Sequence, residues 1–310
     1  MNSPRQIGLV VNPTAGRGRG RSLGAQTGDL LSRAGHDVRD LSGESAAESL
    51  ERCTAAVSAG IDTLVVVGGD GMVHLGVNAV AGTGTALGIV AAGSGNDNAR
   101  SLGLPLLDAV GAATVVDAGH RRRIDAVREV RAAGADHVDH WYLGVLGGGF
   151  DAVVNERANG WADRRLMPRG KMRYNLAIAR ELPVFRPMPY ELELDGEPWT
   201  TEAMLVAVGN GPAYGAGMQI TPDASYDDGL LDVLVVGPLS VPRLLAVFPK
   251  VFSGKHISHT AVTIKRARRV RLSTPGIVAY ADGERFGALP LELEVVPGAL
   301  EVLTAPTAPS

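Results

Sequence analysis

The sequence predicts an α/β protein of two domains: a mainly parallel sheet with helices on both faces, then a β-rich sandwich. Three observations carry this. At 310 residues the chain exceeds what one hydrophobic core usually spans. Strand and helix signals alternate up to about residue 120, as in successive βαβ units. Beyond that point, strands joined by turn dipeptides take over. The domains are read as 1–124 and 125–290, with 291–310 packing back onto the first.

Each element has a local cause. Ile7–Val11 is a short β-branched run, followed by a Gly/Arg loop and a helical pattern over Leu23–Arg33. His36–Leu41 reads as a strand, Ala46–Ala59 as a helix and Thr63–Val67 as a buried strand. Met72–Ala81 is helical, Ala86–Ala91 a strand and Pro105–Val116 helical again. In the second region, "RRRIDAVREV" and "DHWYLGVLGG" flank "RAAGAD" and read as an antiparallel pair with a turn at 131–136. Asp195-Gly196 is a strong hairpin turn between alternating flanks. Leu231–Val236, Ala261–Leu272 and Ile277–Ala281 read as strands, and 150–159, 168–182 and 240–253 as helices. The end, "TAPTAPS", reads as a frayed tail.

Composition narrows the function classes. The chain is 45% hydrophobic and 20% charged, as an ordinary globular protein is. A net charge of −3 argues against a dedicated nucleic-acid binder. A lone cysteine, Cys53, excludes an intrachain disulfide, suits a reducing compartment, and reads as a buried small apolar residue. No apolar run reaches the ~18 residues that a transmembrane helix needs. The opening residues have no signal-peptide pattern, so a cytosolic protein is expected.

Three loops carry the chemistry. "VVVGGDGMVHL" runs a strand into Gly68, Gly69, Asp70 and Gly71 and then a helix. Such glycines let main-chain N–H groups approach a ligand, and the helix N-terminus favours phosphate. Asp70 either holds a Mg²⁺ that bridges phosphate oxygens or caps the helix. "VVNPTAGRGRG" brings Asn12, Thr14, Gly16 and Arg17, and "AAGSGNDNARSLGLP" brings Ser94, Gly95 and Asn96. In a parallel sheet all three loops lie at one edge, where ligands bind. None matches the phosphate-loop or GxGxxG pattern.

Together, Asn12-Pro13, the GGDG at 68–71 and "GSGNDNARSLGLP" resemble the catalytic domain of the diacylglycerol, sphingosine and ceramide lipid kinase family, in its soluble bacterial branch. The second half continues the resemblance with "GGGFDA" (147–152), "GKMRY" (170–174), "PDASYDDGLLDV" (222–233) and "AYADGE" (279–284). GGDG alone is weak, since NAD kinases and 6-phosphofructokinases carry it too. The resemblance implies a Rossmann-like nucleotide-binding domain, a C-terminal β-sandwich and an NAD-kinase-like overall arrangement. It implies an ATP site formed by the residues of the three loops, with Asp70 also in a catalytic role. Asp282 matches the family's proposed general base, with Glu284 beside it. Read without the family, Asp282-Gly283 is first of all an ordinary hairpin turn. Asp223, Asp227 and Asp228, with the Leu230 carbonyl, are similar to a loop binding a structural Mg²⁺, which Ca²⁺ would suit as well. Without the family, that loop reads as a solvated acidic turn. Asp125 lies where the family carries an aspartate linked to the metal–water network.

The implied activity is transfer of the ATP γ-phosphate to a lipid hydroxyl, first diacylglycerol, then a sphingoid base, ceramide or another lipid. The implied setting is the inner membrane surface, with peripheral contact, no nucleic acid and a homodimer as in many family members. A soluble-acceptor kinase and a non-catalytic nucleotide or lipid sensor are the alternatives. Met72, where a small hydroxyl residue is usual, is the main departure; Ser94 replaces threonine and Ala216 a frequent glycine. "IKRARRVRL" (264–272) reads as an exposed charged strand or a lipid-attracting one. "RRLMPRGKMRY" (164–174) suits a membrane-facing loop. Arg17, Arg19 and Arg21 screen phosphates or solubilise their loop. His74 and Trp161 read as packing or surface residues.

Overall fold

A computed structural model describes residues 3–130, 140–161, 171–181 and 183–306. The expected turn at 131–136, the 164–170 part of the basic stretch and the last residues of the tail lie outside these. The first half alternates as read: β1 (Gln6–Val11), α1 (Ala15–Arg33), β2 (Asp37–Asp40), α2 (Ala46–Ser58), β3 (Thr63–Gly68), α3 (Asp70–Val80), β4 (Ala86–Ala91), α4 (Asp97–Ser101) and α5 (Ala109–Ala118). The four strands pair in parallel in the order β2-β1-β3-β4. All six residues of β3 and of β4 are buried, because helices cover both faces. Local chemistry sets the helix limits. Ser45 accepts from Glu48 N at 3.1 Å to start α2. Asp108 accepts from the N–H groups of Val110 and Gly111 to start α5 at Ala109, four residues later than expected from Pro105. α1 starts earlier than its apolar pattern, but Gly16, Arg17 and Gly18 inside it have left-handed φ, so its regular part follows them.

The second half comprises β5 (Arg121–Glu129), β6 (Trp141–Tyr142), β7 (Val145–Gly147), α6 (Phe150–Gly160), α7 (Lys171–Glu181), β8 (Met188–Leu194), β9 (Glu197–Ala203), β10 (Leu205–Gly209), β11 (Leu231–Val236), α8 (Val241–Val247), β12 (Val262–Ala267), β13 (Arg269–Ser273), β14 (Val278–Ala281), β15 (Glu284–Ala288) and β16 (Leu291–Leu303). A six-stranded sheet, β12-β11-β10-β7-β14-β15, faces the extension β16-β13-β8-β9 of the first sheet. Their inner faces share one core, including Tyr142, Tyr190, Val206, Val233, Leu272 and Leu293. The long strand β16 couples the halves: Leu291–Glu294 pair with β13, and Val302 pairs in parallel with Leu87 of β4. The C-terminal strand thus joins the parallel and antiparallel parts of the large sheet.

Two strands expected to be continuous are split. Ala261–Leu272 divides into β12 and β13, which belong to different sheets. The odd alternation of "IKRARRVRL" comes from this crossover at Arg268. "DHWYLGVLGG" likewise divides at Leu143-Gly144, with β6 in the large sheet and β7 in the small one. One device secures both crossings. The turn aspartate Asp195 accepts from Arg268 N and Arg269 N, and Asp282 accepts from Leu143 N and Gly144 N. Each aspartate has positive φ (51° and 53°) and precedes a glycine at 90° or 87°, the I′ turn geometry. The 240–253 helix is shorter than expected: α8 gives way to 3₁₀ turns over Phe248–Ser253.

Candidate active site

The three loops at the carboxyl edge of the parallel strands meet. A Cβ on Gly93 would lie 2.5 Å from the Gly69 Cα, and one on Gly16 would strike the Ala92 carbonyl. The backbones therefore pass as closely as glycine alone allows. Beside them opens a cleft of about 860 Å³ lined by Asn12, Gly16, Gly69, Asp70, Gly71, Ser94 and Gly95. That volume suits a nucleotide-sized ligand. α3 begins at Gly69 with no side-chain cap, so the positive end of its dipole faces the cleft.

Asp70 does not cap its own helix. Its carboxylate accepts from Asn98 N at 3.1 Å, at the start of α4. Burial pushes its pKa up to about 6, and the nearby Asp97 and Asp282 charges add to the rise. A cation beside it would oppose all three effects.

The other expected nucleotide residues play different parts. Asn12 Oδ1 accepts from Thr14 N and Thr14 Oγ, which shapes the first loop. Asn96, left-handed at φ 56°, exchanges two hydrogen bonds with Gly93. Gly68 leaves room for Met72, whose side chain lies over it and lines the cleft. Thr14, Arg17, Gly68 and Asn96 are outside the cleft wall.

The opposite wall belongs to the second half. Glu284 lines the cleft, and a Cβ on Gly71 would strike its Oε1. Asp282 is 7% exposed and stands behind that wall. Each carboxylate oxygen receives one backbone N–H at 2.9 Å, from Leu143 and Gly144. So Asp282 occupies a hairpin turn and holds a buried carboxylate near the site, and the two readings of its sequence are compatible. His74 lines the cleft on α3, and its Nδ1 lies 3.8 Å from Asp282 Oδ2. That Nδ1 is buried without a hydrogen-bond partner. The ring meets His140 edge-on at 5.7 Å, and His140 stacks on Phe286 at 4.0 Å.

Sequence reasoning missed His74, His140, Arg285 and the α2 wall of Ala46, Ala47, Leu50 and Thr54. Arg285, next after the quoted "ADGE", is the one signal that could have been taken further. Trp161 and Cys53 are packing residues as read, and burial pushes the Cys53 thiol up to about 12.

The acidic loop lies apart. Asp227 pairs with Arg122 at 2.8 Å and accepts from Ser225 Oγ, while Arg266 lies 3.2 Å from Asp232 and 3.8 Å from Asp228. Leu230 N donates to Asp228, and the Asp223 carbonyl accepts from Arg266. The carboxylates of Asp223, Asp227 and Asp228 do not converge. Among the described residues no group of three or more His, Cys, Asp or Glu is arranged to hold a metal ion. Asp125 ties this loop to a bulge of β16, accepting from Gly229 N and Gly298 N at 2.8 Å each.

Residues 6–129 match the diacylglycerol kinase catalytic domain, and residues 144–304 match the YegS C-terminal NAD kinase beta sandwich-like domain. A diacylglycerol kinase of Mycobacterium tuberculosis is 38% identical over 96% of this chain and 94% of its own length. One from Bacillus subtilis is 27% identical over 92% and 91%. The crystal structure of a diacylglycerol kinase from Bacillus anthracis superposes with a TM-score of 0.71 at 21% identity, covering 99% of each chain. An NAD kinase from Archaeoglobus fulgidus in complex with ATP shares the fold at a TM-score of 0.52 and 12% identity, over 96% and 94%. With both halves matched in order, the chain belongs to the diacylglycerol kinase family and is a lipid kinase.

Proposed function

We propose that this enzyme transfers the γ-phosphate of Mg²⁺-ATP to the hydroxyl of diacylglycerol, giving phosphatidic acid, at the cytoplasmic face of the membrane. The observation that carries the reading is the convergence of three glycine loops and the Asp70 carboxylate on one cleft, faced by Glu284, Arg285 and His74. The loop amides and the uncapped start of α3 bind phosphate oxygens. When bound, Mg²⁺ would supply charge neutralisation to the transferring phosphate, and Asp70 is the residue that would hold it. Asn12, Ser94 and Gly95 line the nucleotide side, while Thr14, Gly68 and Asn96 keep the loops in shape.

Asp282 and His74 form the proton-accepting pair. His74 reaches the cleft, and Asp282 behind it orients the ring and stabilises it when protonated. The proton leaves the lipid hydroxyl for the His74–Asp282 pair as that oxygen attacks the γ-phosphorus, and the bond from the γ-phosphorus to the bridging β-phosphate oxygen breaks, releasing ADP. Glu284 and Arg285 position the acceptor and the transferred group. The reading places no structural Mg²⁺ on the loop of Asp223, Asp227, Asp228 and Leu230, whose carboxylates do not converge and whose Asp227 is held by Arg122.

The test incubates the protein with labelled ATP, Mg²⁺ and separate lipids in mixed micelles, followed by thin-layer chromatography. Label in phosphatidic acid is expected. Label only in a sphingoid or ceramide product would change the acceptor. Label in a soluble acceptor, or none despite ATP binding, would overturn the reading.

A further inference from the structure

Between Asp232 and Asp282 the chain has no acidic residue and eight lysines and arginines, although its net charge is −3. This stretch also carries three of the exposed large apolar side chains: Leu245 (56% exposed), Phe248 (42%) and Phe252 (52%). Their i, i+3, i+7 spacing puts them on one face of α8 and the 3₁₀ turns that follow. The Phe248 and Phe252 rings meet edge-on at 6.0 Å. The opposite face is satisfied, since Val247 and Val251 are buried against the protein. An element with one apolar face packed and a second one facing water has a partner to find.

Charge says which partner. Arg243, Lys250 and Lys255 flank the stripe, are exposed, and make no ion pair among the described residues. Lys250 and Lys255, with Ser253 and Ser258, line a pocket of about 510 Å³ that Asp223 also borders. Aromatic and aliphatic side chains ringed by unpaired cations match a bilayer of anionic headgroups over acyl chains. The place in the fold fits as well. Val251 O accepts from Gln219 N, and His256 meets Ile220 O, so the stripe rests on the loop after β10. In that loop Ala216 N donates to Asp97, the neighbour of Asp70.

We propose that Leu245, Phe248 and Phe252, flanked by Arg243, Lys250 and Lys255, dock this enzyme on a bilayer containing anionic phospholipid. This deepens the lipid-kinase reading and rests on it for the location of the acceptor. The docking face differs from the basic stretches at 164–174 and 264–272 expected from sequence.

The test is co-sedimentation of the full chain with vesicles of phosphatidylcholine alone and of phosphatidylcholine with phosphatidylglycerol. Wild type is expected to prefer the anionic vesicles. Lys250→Gln with Lys255→Gln should weaken that binding roughly 10- to 30-fold. Phe248→Ser with Phe252→Ser should weaken it at least about 10-fold. Melting temperatures and transfer to diacylglycerol in detergent micelles should be unchanged in both. Wild-type vesicle binding by either variant overturns the proposal. So does a wild-type dimer that Phe248→Ser with Phe252→Ser makes monomeric without loss of vesicle binding. If micelle assays find no lipid product while vesicle binding behaves as stated, the acceptor reading fails and the docking face stands.

Discussion

Replacing Asp282 separates its two jobs. In the folded chain each carboxylate oxygen receives one buried backbone N–H, from Leu143 and Gly144, where the chain passes from the large sheet to the small one. Asp282→Ala leaves both donors unpaired, at about 1–3 kcal/mol each, or roughly 2–6 kcal/mol together. The left-handed φ of 53° adds to the cost for alanine, whereas asparagine tolerates it. Asp282→Asn keeps one acceptor oxygen and turns its NH₂ toward the other donor, so it loses about 1–3 kcal/mol. Urea unfolding followed by circular dichroism should therefore rank stability as wild type, then Asn, then Ala. Asp282→Asn is the cleaner probe of catalysis. It should lower transfer roughly 10²- to 10⁴-fold, the usual range for a proton acceptor. Its ATP affinity, read by calorimetry, should be unchanged. An Ala variant with the wild-type urea midpoint would refute the crossing lock. Loss of ATP binding in a well-folded Asn variant would refute the separation of nucleotide and proton-accepting groups.

Other substitutions test the remaining parts. His74→Asn should reduce kcat about 10²-fold with little change in KM for ATP, and added imidazole should restore part of the activity of His74→Ala; wild-type kcat in both would remove His74 from the accepting pair. Gly93→Ala places a Cβ 2.5 Å from the Gly69 Cα and 2.7 Å from Asn96 Oδ1, so the two loops must part. The cost of about 1–3 kcal/mol should appear as at least about tenfold weaker ATP binding, and an unchanged Kd would mean that the loops do not cradle the nucleotide. Asp151 is buried at the start of α6, accepts from Tyr214 Oη, and has an Oδ1 without a partner. Burial pushes its pKa up to about 6 from 3.8. The folded state then binds this proton more tightly than the unfolded state, so its contribution to stability falls as pH rises from about 4 to about 6. Asp151→Asn should remove that slope, and identical pH dependence in the two proteins would contradict the burial.

Much of the fold was legible because its causes are local. β3 is a run of valines, Ser45 and Asp108 start their helices, and Asp195-Gly196 turns a hairpin, each within a few residues. Even the meeting of the three glycine loops followed from local signals, since parallel strands put their carboxyl ends on one edge. Met72, the odd residue of the GGDG stretch, lies over Gly68 and lines the cleft. Tertiary structure decided what depends on residues far apart in the chain. Where a strand changes sheets is set by the partners on each side, so Gly144 carried no mark that separated two strands from one, and the odd alternation around Arg268 did not say which sheet each part joins. His74 looked like a packing residue because helical periodicity records which face is buried and not what it is buried against. Here that neighbour is Asp282, more than two hundred residues away, brought to α3 by a turn between strands of the other half. Likewise Arg122 and Arg266 reached the acidic loop from distant strands and took up carboxylates that looked free for an ion. Propensity, alternation and turn chemistry act over a few residues and could be read directly. The pairing of charges and the crossing of sheets arise from contacts that only the folded chain brings together.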